Sequence, residues 1–378
     1  MNNLVIICAI LLLVLLFLKV PVYIAVLSAS AVYFIGTPGM NLSIFAQKTI
    51  SGAEGLSLLA IPFFVCAGIF MNYTGVTKRI MNCCEVLTAR MPGGLAQVNI
   101  LLSTLMGGLS GSSLADAAMQ CKMLVPTMES KGYSKSFSTV ITAASGMVVP
   151  LIPPGVGLII YGCINNISIG KLFIAGIGPG IVLCVTLMIF THFLSKKRGY
   201  LPSRTTKIPV SEKIAAVRPA FLPLLLPIII IGGVRIGVFT ASEAGTVAIV
   251  YAVLLGLLYK ELTLKNVMQG CKETVTTTAS IMLIVAAATC FSWILTKEQI
   301  PQQFSQWMIS NIHNKYVFLI MVNIFLLIVG MFIEGNASMI VLAPLLHPVA
   351  MAYGIDDIHF AMVYIFNCTI GAFTPPDR

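Results

Sequence analysis

The sequence predicts an all-α polytopic membrane protein made of two structural repeats, each with helical hairpins and broken helices. Three observations carry that expectation. The 378 residues are 58% apolar and only 10% charged, with mean hydropathy +0.96, whereas soluble domains run at about 25% charged. The apolar residues fall in long continuous runs, which excludes a membrane β-barrel with its short alternating strands. A Gly/Ser-rich interruption, Gly107-Gly108-Leu109-Ser110-Gly111-Ser112-Ser113-Leu114-Ala115-Asp116, is matched in kind in the second half.

Taken in order, residues 4–18 and 22–36 are apolar runs parted by Lys19-Val20-Pro21. Each is short of the roughly 20 residues of a straight span. One kinked span, two thin ones, or a span plus an interfacial piece all fit. Residues 1–18 lack a basic n-region and a small-residue cleavage site, so an uncleaved first span is expected. Residues 40–55 are mixed and expected at the interface; 56–71 are apolar around Pro62; 72–94 end in the loop signal Met91-Pro92-Gly93-Gly94. The run 95–106 enters the Gly/Ser break, the chain passes Pro126 into a polar connection, and 136–152 ends at Pro153-Pro154-Gly155 before 156–164 resumes. Residues 171–194 make a full span. Residues 195–218 hold Lys196, Lys197, Arg198, Arg204, Lys207, Lys213 and Arg218 against one acid, Glu212. That bias places the segment in the cytoplasm. Runs at 219–234, 244–259 and 274–296 follow, then a polar stretch, 297–315, with Trp307 as an interfacial anchor. Residues 316–333 meet Glu334-Gly335-Asn336-Ala337-Ser338; 339–352 and 360–373 lead to Thr374-Pro375-Pro376.

Lipid-exposed backbone cannot be irregular at membrane depth, because an unpaired N–H or C=O costs several kcal/mol there. A Gly/Ser break therefore packs against protein or faces a water-filled site. Small residues can also simply let two helices approach closely. The repeat favours a site. Each half gives a break, a helix with a proline (Pro126, Pro344), a polar connection, a helix and a Pro-Pro. Ser112 to Pro153 is 41 residues, and Asn336 to Pro375 is 39. Matched broken helices in two halves are the sequence mark of a transport site.

Broken helices offer freed carbonyls and hydroxyls to sodium, and half-helix N-termini favour an anionic group. The first cluster supplies Ser110, Ser112, Ser113 and the carbonyl before Pro153; the second supplies Asn336, Ser338 and Thr374. Asp116 lies one turn beyond Ser112 and Ser113, on a similar face. A carboxylate at this depth points to function, with capping, or pairing to a lysine such as Lys122, as the structural alternative. Glu334 borders the second break, and Glu243 suits a helix start.

Other chemistries are not supported. The +10 net charge is concentrated in one segment, so nucleic acid is not the partner expected. The ten cysteines include no C-x-x-C and read as small buried thiols. His192, His313, His347 and His359 lack ligand spacing, and no Walker A pattern occurs. No nucleophile–base set is visible, and no organic cofactor is expected.

The runs LLAIPFFVCAGIFM, MPGGLAQVN, GGLSGSSLADAA, VPTMESKGYSKSFS, PLIPPGVGLIIYG and LFIAGIGPG, then MFIEGNASMIVLAPLLHPVA and NCTIGAFTPP, span essentially the whole chain. In this ordered set the chain resembles the large permease subunit of tripartite ATP-independent periplasmic (TRAP) transporters, of the DctM/SiaM kind. The resemblance implies an elevator-type importer of organic acids, driven by sodium, multi-pass in the bacterial inner membrane. Its implied partners are a periplasmic solute-binding protein, a small four-span membrane subunit and the lipid bilayer. It implies sodium at Ser110, Gly111, Ser112, Ser113, Pro153 and Pro154 in the first half, and at Gly335, Asn336, Ser338, Thr374 and Pro375 in the second. Substrate is expected between the breaks, on Ser112, Ser113, Asp116 and Asn336. On this basis 1–94 and 219–315 are scaffold helices, 95–194 is the first transport repeat, 195–218 is the basic loop, and 316–378 is the second repeat. Two departures stand out. Gly155 replaces the serine usual after the first Pro-Pro. The chain also ends Pro375-Pro376-Asp377-Arg378, where relatives continue into a returning arm, so a truncated second hairpin is expected. A standalone ion-coupled transporter and an inactive truncated permease are the alternatives.

Overall fold

The computed structural model describes residues 3–204, 206 and 208–374; Lys207 of the basic segment, Pro375 and Pro376 lie outside them. The described secondary structure is helical throughout. Among the described residues seven helices are long and apolar enough to cross a membrane. The number becomes eight if Lys135–Leu151 and Val156–Asn165, bent by 42° at the Pro-Pro break, count as one span.

The chain divides into two compact units. The first comprises residues 1–59, 160–168 and 275–378. Its opening is two separate helices, Asn3–Phe17 and Val22–Gly36, parted where Lys19 takes a left-handed φ of 59°. A Cβ on Gly36 would stand 2.9 Å from Leu4 Cδ1, so the end of the second helix meets the start of the first. The pair is antiparallel, which removes the single kinked span from the alternatives. Val5, Cys8, Leu12, Ala25, Val26, Ala29 and Phe34 fill the seam. Residues 40–55 fold mostly into Leu42–Ser51, where the Asn41 side chain accepts from the Ser43 N–H at 3.0 Å, the usual use of Asn at an N-cap. The polar stretch 297–315 also contains a helix, Ile300–Asn311, which buries Pro301 and Met308 two turns apart and leaves Trp307 exposed.

The second unit comprises residues 60–159 and 169–274. Here the basic segment is shorter than its charge suggested. Ile169–Lys197 runs into it and Val210–Arg235 starts within it, leaving 198–209 as the linker. The charges explain both intrusions: Lys196 and Lys197 close one helix and Glu212 opens the next, each matching the local end of the helix dipole. Glu243 acts as expected at a helix start. With Thr240 it forms a capping box, Thr240 N–H to Glu243 Oε2 at 2.8 Å and Glu243 N–H to Thr240 Oγ at 3.3 Å. The cysteines are all free thiols but not all buried: Cys271 is exposed, on an outward face of the long helix Leu264–Lys297.

The internal repeat is sharper in three dimensions than in sequence. The helices Ser113–Ser130 and Gly335–Ala352 both have 18 residues. Their N-caps, Ser112 and Glu334, each precede the next N-cap, Ser134 and Asp356, by 22 residues. The connecting turns place Gly132 and Gly354 at the same step with φ of 87° and 70°. Aligned on the caps, Pro126 pairs with Pro348 rather than Pro344, and Pro153 lies as far from Ser112 as Pro375 does from Glu334, 41 residues. Matching Ser112 to Asn336 had hidden this equality, because Asn336 is in the first turn of its helix and not at the cap.

Candidate binding site at the helix breaks

The first break forms because helix Gly94–Ser110 ends on Gly111, at φ 64° and ψ 0°, whose N–H returns to the Gly107 carbonyl at 3.2 Å. Glycine is the residue for this left-handed C-terminal step. Ser112 then caps the next helix, its Oγ accepting from the Ala115 N–H at 3.4 Å. Two residues thus reverse the helix and start another, leaving carbonyls of one helix end beside N–H groups of the next.

The Pro-Pro break is packed onto the Gly/Ser break. Pro153 and Pro154 have no N–H to donate, so the preceding helix cannot continue its ladder. The Val156 N–H instead donates to the Gly111 carbonyl at 3.3 Å. A Cβ on Gly111 would lie 3.1 Å from the Pro154 carbonyl oxygen and from Val156 N. One on Gly108 would lie 3.0 Å from the Pro153 carbonyl oxygen, and one on Gly155 2.4 Å from the Pro150 carbonyl oxygen. The backbone is crowded because glycine lets it be. The Pro153-Pro154 peptide is cis. Gly111 and both prolines are buried, while Ser112 and Ser113 are half-buried. The structure therefore brings Gly111, Ser112, Ser113, Pro153 and Pro154 into one place; Ser110 closes the helix before them.

Asp116 takes a different position. Only 1% exposed, it turns into the hairpin, where its Oδ2 accepts from Ser103 Oγ and Gln120 Nε2, both at 2.7 Å. Its hydrogen-bond partners are these neutral groups, and Lys122, the lysine proposed from sequence, is exposed. The network continues from Ser103 to Ser145 Oγ at 3.0 Å, from Ser145 to Asn99 Oδ1 at 3.0 Å, and from Asn99 Nδ2 to Thr142 Oγ at 2.6 Å. Sequence reasoning missed Asn99, Ser103, Gln120, Thr142 and Ser145. The signal was present as spacing: 99 and 103, and 116 and 120, are four residues apart in apolar surroundings and so share helix faces.

In the other unit the second break runs from helix Lys315–Phe332 to Gly335–Ala352 through Ile333 and Glu334. Glu334 is exposed, and Gly335 and Asn336 are half-buried. Asn336 Nδ2 donates to Glu334 Oε1 at 3.4 Å. Ser338 is buried; its carbonyl accepts from Tyr364 Oη at 3.1 Å, and Cys368 Sγ donates to its Oγ at 3.8 Å. Thr374 turns back, donating to the Gly371 carbonyl at 2.7 Å. Gly330 and Gly371 touch closely enough that a Cβ on either would be 2.7 Å from the other's Cα. The structure joins Asn336 to Glu334 and ties Ser338 to Tyr364 and Cys368, two partners the sequence did not suggest.

A cavity of about 580 Å³ lies elsewhere, at the foot of the first hairpin under the linker 198–209, lined by Glu85, Lys131, Tyr133, Tyr200, Arg204 and Glu212 among others. Its walls carry both signs of charge, which gives no preference for an anion. Tyr200 pins the linker there, stacked on Tyr133 at 4.4 Å, and hydrogen bonding to Ser134 holds its phenol below the usual range.

Comparison with known proteins gives consistent matches. The family described as "Tripartite ATP-independent periplasmic transporter, DctM component" matches residues 9–377. The sialic acid TRAP transporter large permease protein SiaM of Vibrio cholerae is 41% identical over 96% of this chain and 84% of its own length. The 2,3-diketo-L-gulonate TRAP transporter large permease protein YiaN of Escherichia coli is 37% identical over 94% of this chain and 84% of its own length. The C4-dicarboxylate TRAP transporter large permease protein DctM of Pseudomonas aeruginosa is 37% identical over 88% and 77%. Among solved structures the YdaH transporter of Alcanivorax borkumensis shares the fold, with TM-score 0.60 at 13% identity over 92% of this chain and 85% of that one.

Proposed function

Since the chain belongs to the DctM components of tripartite ATP-independent periplasmic transporters, we propose that it carries an organic acid inward across the bacterial inner membrane in symport with sodium. A periplasmic solute-binding protein hands over the acid, and a small four-span subunit completes the assembly. The observation that carries this reading is the seating of the Pro153-Pro154 break on the Gly111 carbonyl, with Ser112 and Ser113 half-buried beside it. That seating supplies hard oxygens, which suit sodium, next to the N-terminus of helix Ser113–Ser130, which suits a carboxylate.

The break at Glu334 does not share the anion's task. There Glu334 already places a negative charge at the N-terminus of Gly335–Ala352, satisfying the dipole and favouring a cation over a second anion. The substrate carboxylate therefore belongs to Ser112 and Ser113, at the N-terminus of helix Ser113–Ser130. Asp116, buried in its own hydrogen bonds, does not touch the substrate. Sialic acid, diketogulonate and C4-dicarboxylates, named for the relatives, all carry the carboxylate this site would take.

Reconstitution tests the reading. Proteoliposomes holding the chain and its small subunit should accumulate labelled sialic acid, diketogulonate or a C4-dicarboxylate only with the matching binding protein outside and inward-directed sodium. Uptake that persists when choline replaces sodium would remove the coupling ion. Uptake without any binding protein would replace the tripartite assembly with a standalone transporter.

A further inference from the structure

The geometry points to a monovalent-cation site inside the first hairpin, built on the Asp116 carboxylate and completed by Gln120, Ser103 and Ser145. Asp116 is buried, and Gln120, Ser103 and Ser145 are fully so. Both hydrogen bonds to the carboxylate reach one oxygen, Oδ2. The other, Oδ1, is buried without a partner, and so is Gln120 Oε1 one helical turn away on the same face. Two orphaned acceptors on one face, one of them anionic, are what a bound cation satisfies and what further packing would not.

Charge accounting leads to the same place. Ser103 and Gln120 are neutral, so their hydrogen bonds orient the carboxylate without cancelling its charge. An uncompensated buried charge costs several kcal/mol. The atoms of this network able to ligate a cation are all oxygen, since the amide NH2 groups of Gln120 and Asn99 only donate hydrogen bonds, and oxygen ligands disfavour the softer metals that take nitrogen and sulfur. One carboxylate balances one positive charge, whereas protein sites for divalent cations commonly gather more carboxylates. Sodium fits both the donor type and the charge.

The site is separate from Ser112 and Ser113 at the Gly/Ser break, which are half-buried, and among the described residues it has no counterpart in the second repeat. In the cap-aligned register Ser338 stands where Asp116 does, and its polar atoms meet Tyr364 and Cys368. The cation would hold three helices together through Ser103 on Gly94–Ser110, Asp116 and Gln120 on Ser113–Ser130, and Ser145 on Lys135–Gly146.

Equilibrium binding of ²²Na⁺ to the full chain in detergent tests this without requiring transport. Asp116→Asn should lose one bound sodium per chain and keep the rest at unchanged affinity. Ser103→Ala and Ser145→Ala, which keep the carboxylate, should weaken that same equivalent roughly tenfold. An Asp116→Asn protein that binds as much sodium as the parent, at the same affinity, overturns the site. Should Asp116→Asn fail to fold, unchanged affinity in both serine variants overturns it equally. The outcomes also separate this site from the coupling reading: loss in Ser112→Ala alone removes only the hairpin site, whereas a parent chain that binds no sodium removes both.

Discussion

Replacing Gly111 with alanine tests whether the joined breaks make the ion site. Gly111 sits at φ 64°, where an alanine costs about 1–2 kcal/mol because its Cβ crowds the backbone. The new Cβ would also stand 3.1 Å from the Pro154 carbonyl oxygen, Val156 N and Val156 Cγ2, so the Pro-Pro segment must move away by a few tenths of an ångström. That movement strains or breaks the hydrogen bond from Val156 N–H to the Gly111 carbonyl, worth about 1 kcal/mol. The sum is roughly 2–3 kcal/mol, concentrated where the two breaks touch. Since about 1.4 kcal/mol is tenfold in affinity, sodium half-saturation of uptake should rise at least tenfold. The control is Gly354→Ala, which carries the same left-handed strain at φ 70° in open space. It should lower the melting temperature and leave sodium half-saturation alone. A Gly111→Ala transporter with parental sodium dependence would refute the idea that the contact between the breaks shapes the site.

Three further outcomes follow from particular contacts. Ser112→Ala and Ser134→Ala each remove an N-cap worth about 1 kcal/mol, so melting should shift similarly in both, while only Ser112→Ala should weaken sodium-dependent uptake. Thr240→Ala should dismantle the capping box and lower thermal stability with uptake kinetics unchanged, as measured by melting and initial rates on the same preparation. A membrane-permeant maleimide should label Cys271 in the native chain well before Cys84, Cys290 or Cys368, read by mass spectrometry of the alkylated peptides, because only the first is exposed.

Much of this architecture was legible because it rests on residues with few conformational options. Gly111, Pro153 and Pro154 interrupt helices wherever they occur together, so the first hairpin could be read from them. Glu243 three residues after Thr240 announced its own cap. Boundaries set by charge were less legible, since Lys196, Lys197 and Glu212 belong equally well to a solvated loop or to helix ends; only the dipole of a helix already formed decides. The polar core of the hairpin was the least legible. Asn99, Ser103, Thr142 and Ser145 lie on two helices more than thirty residues apart in sequence, and nothing local says that their faces meet. Asp116 was recognised as unusual, but its direction depended on that meeting. The helices at 42–51 and 300–311 were hidden because short polar segments carry no strong apolar period.

The equal 41-residue interval between cap and Pro-Pro in the two halves acts as a ruler measured in helical phase. Each residue turns a helix by about 100° and advances it by about 1.5 Å. One residue inserted within Ser113–Ser130 or Lys135–Gly146 would swing everything beyond it through more than a quarter turn. The Val156 N–H would then no longer face the Gly111 carbonyl. A residue inserted in the linker 198–209 would change no such phase. Length variation among natural or engineered versions of this chain should therefore gather in that linker and avoid the two measured intervals altogether.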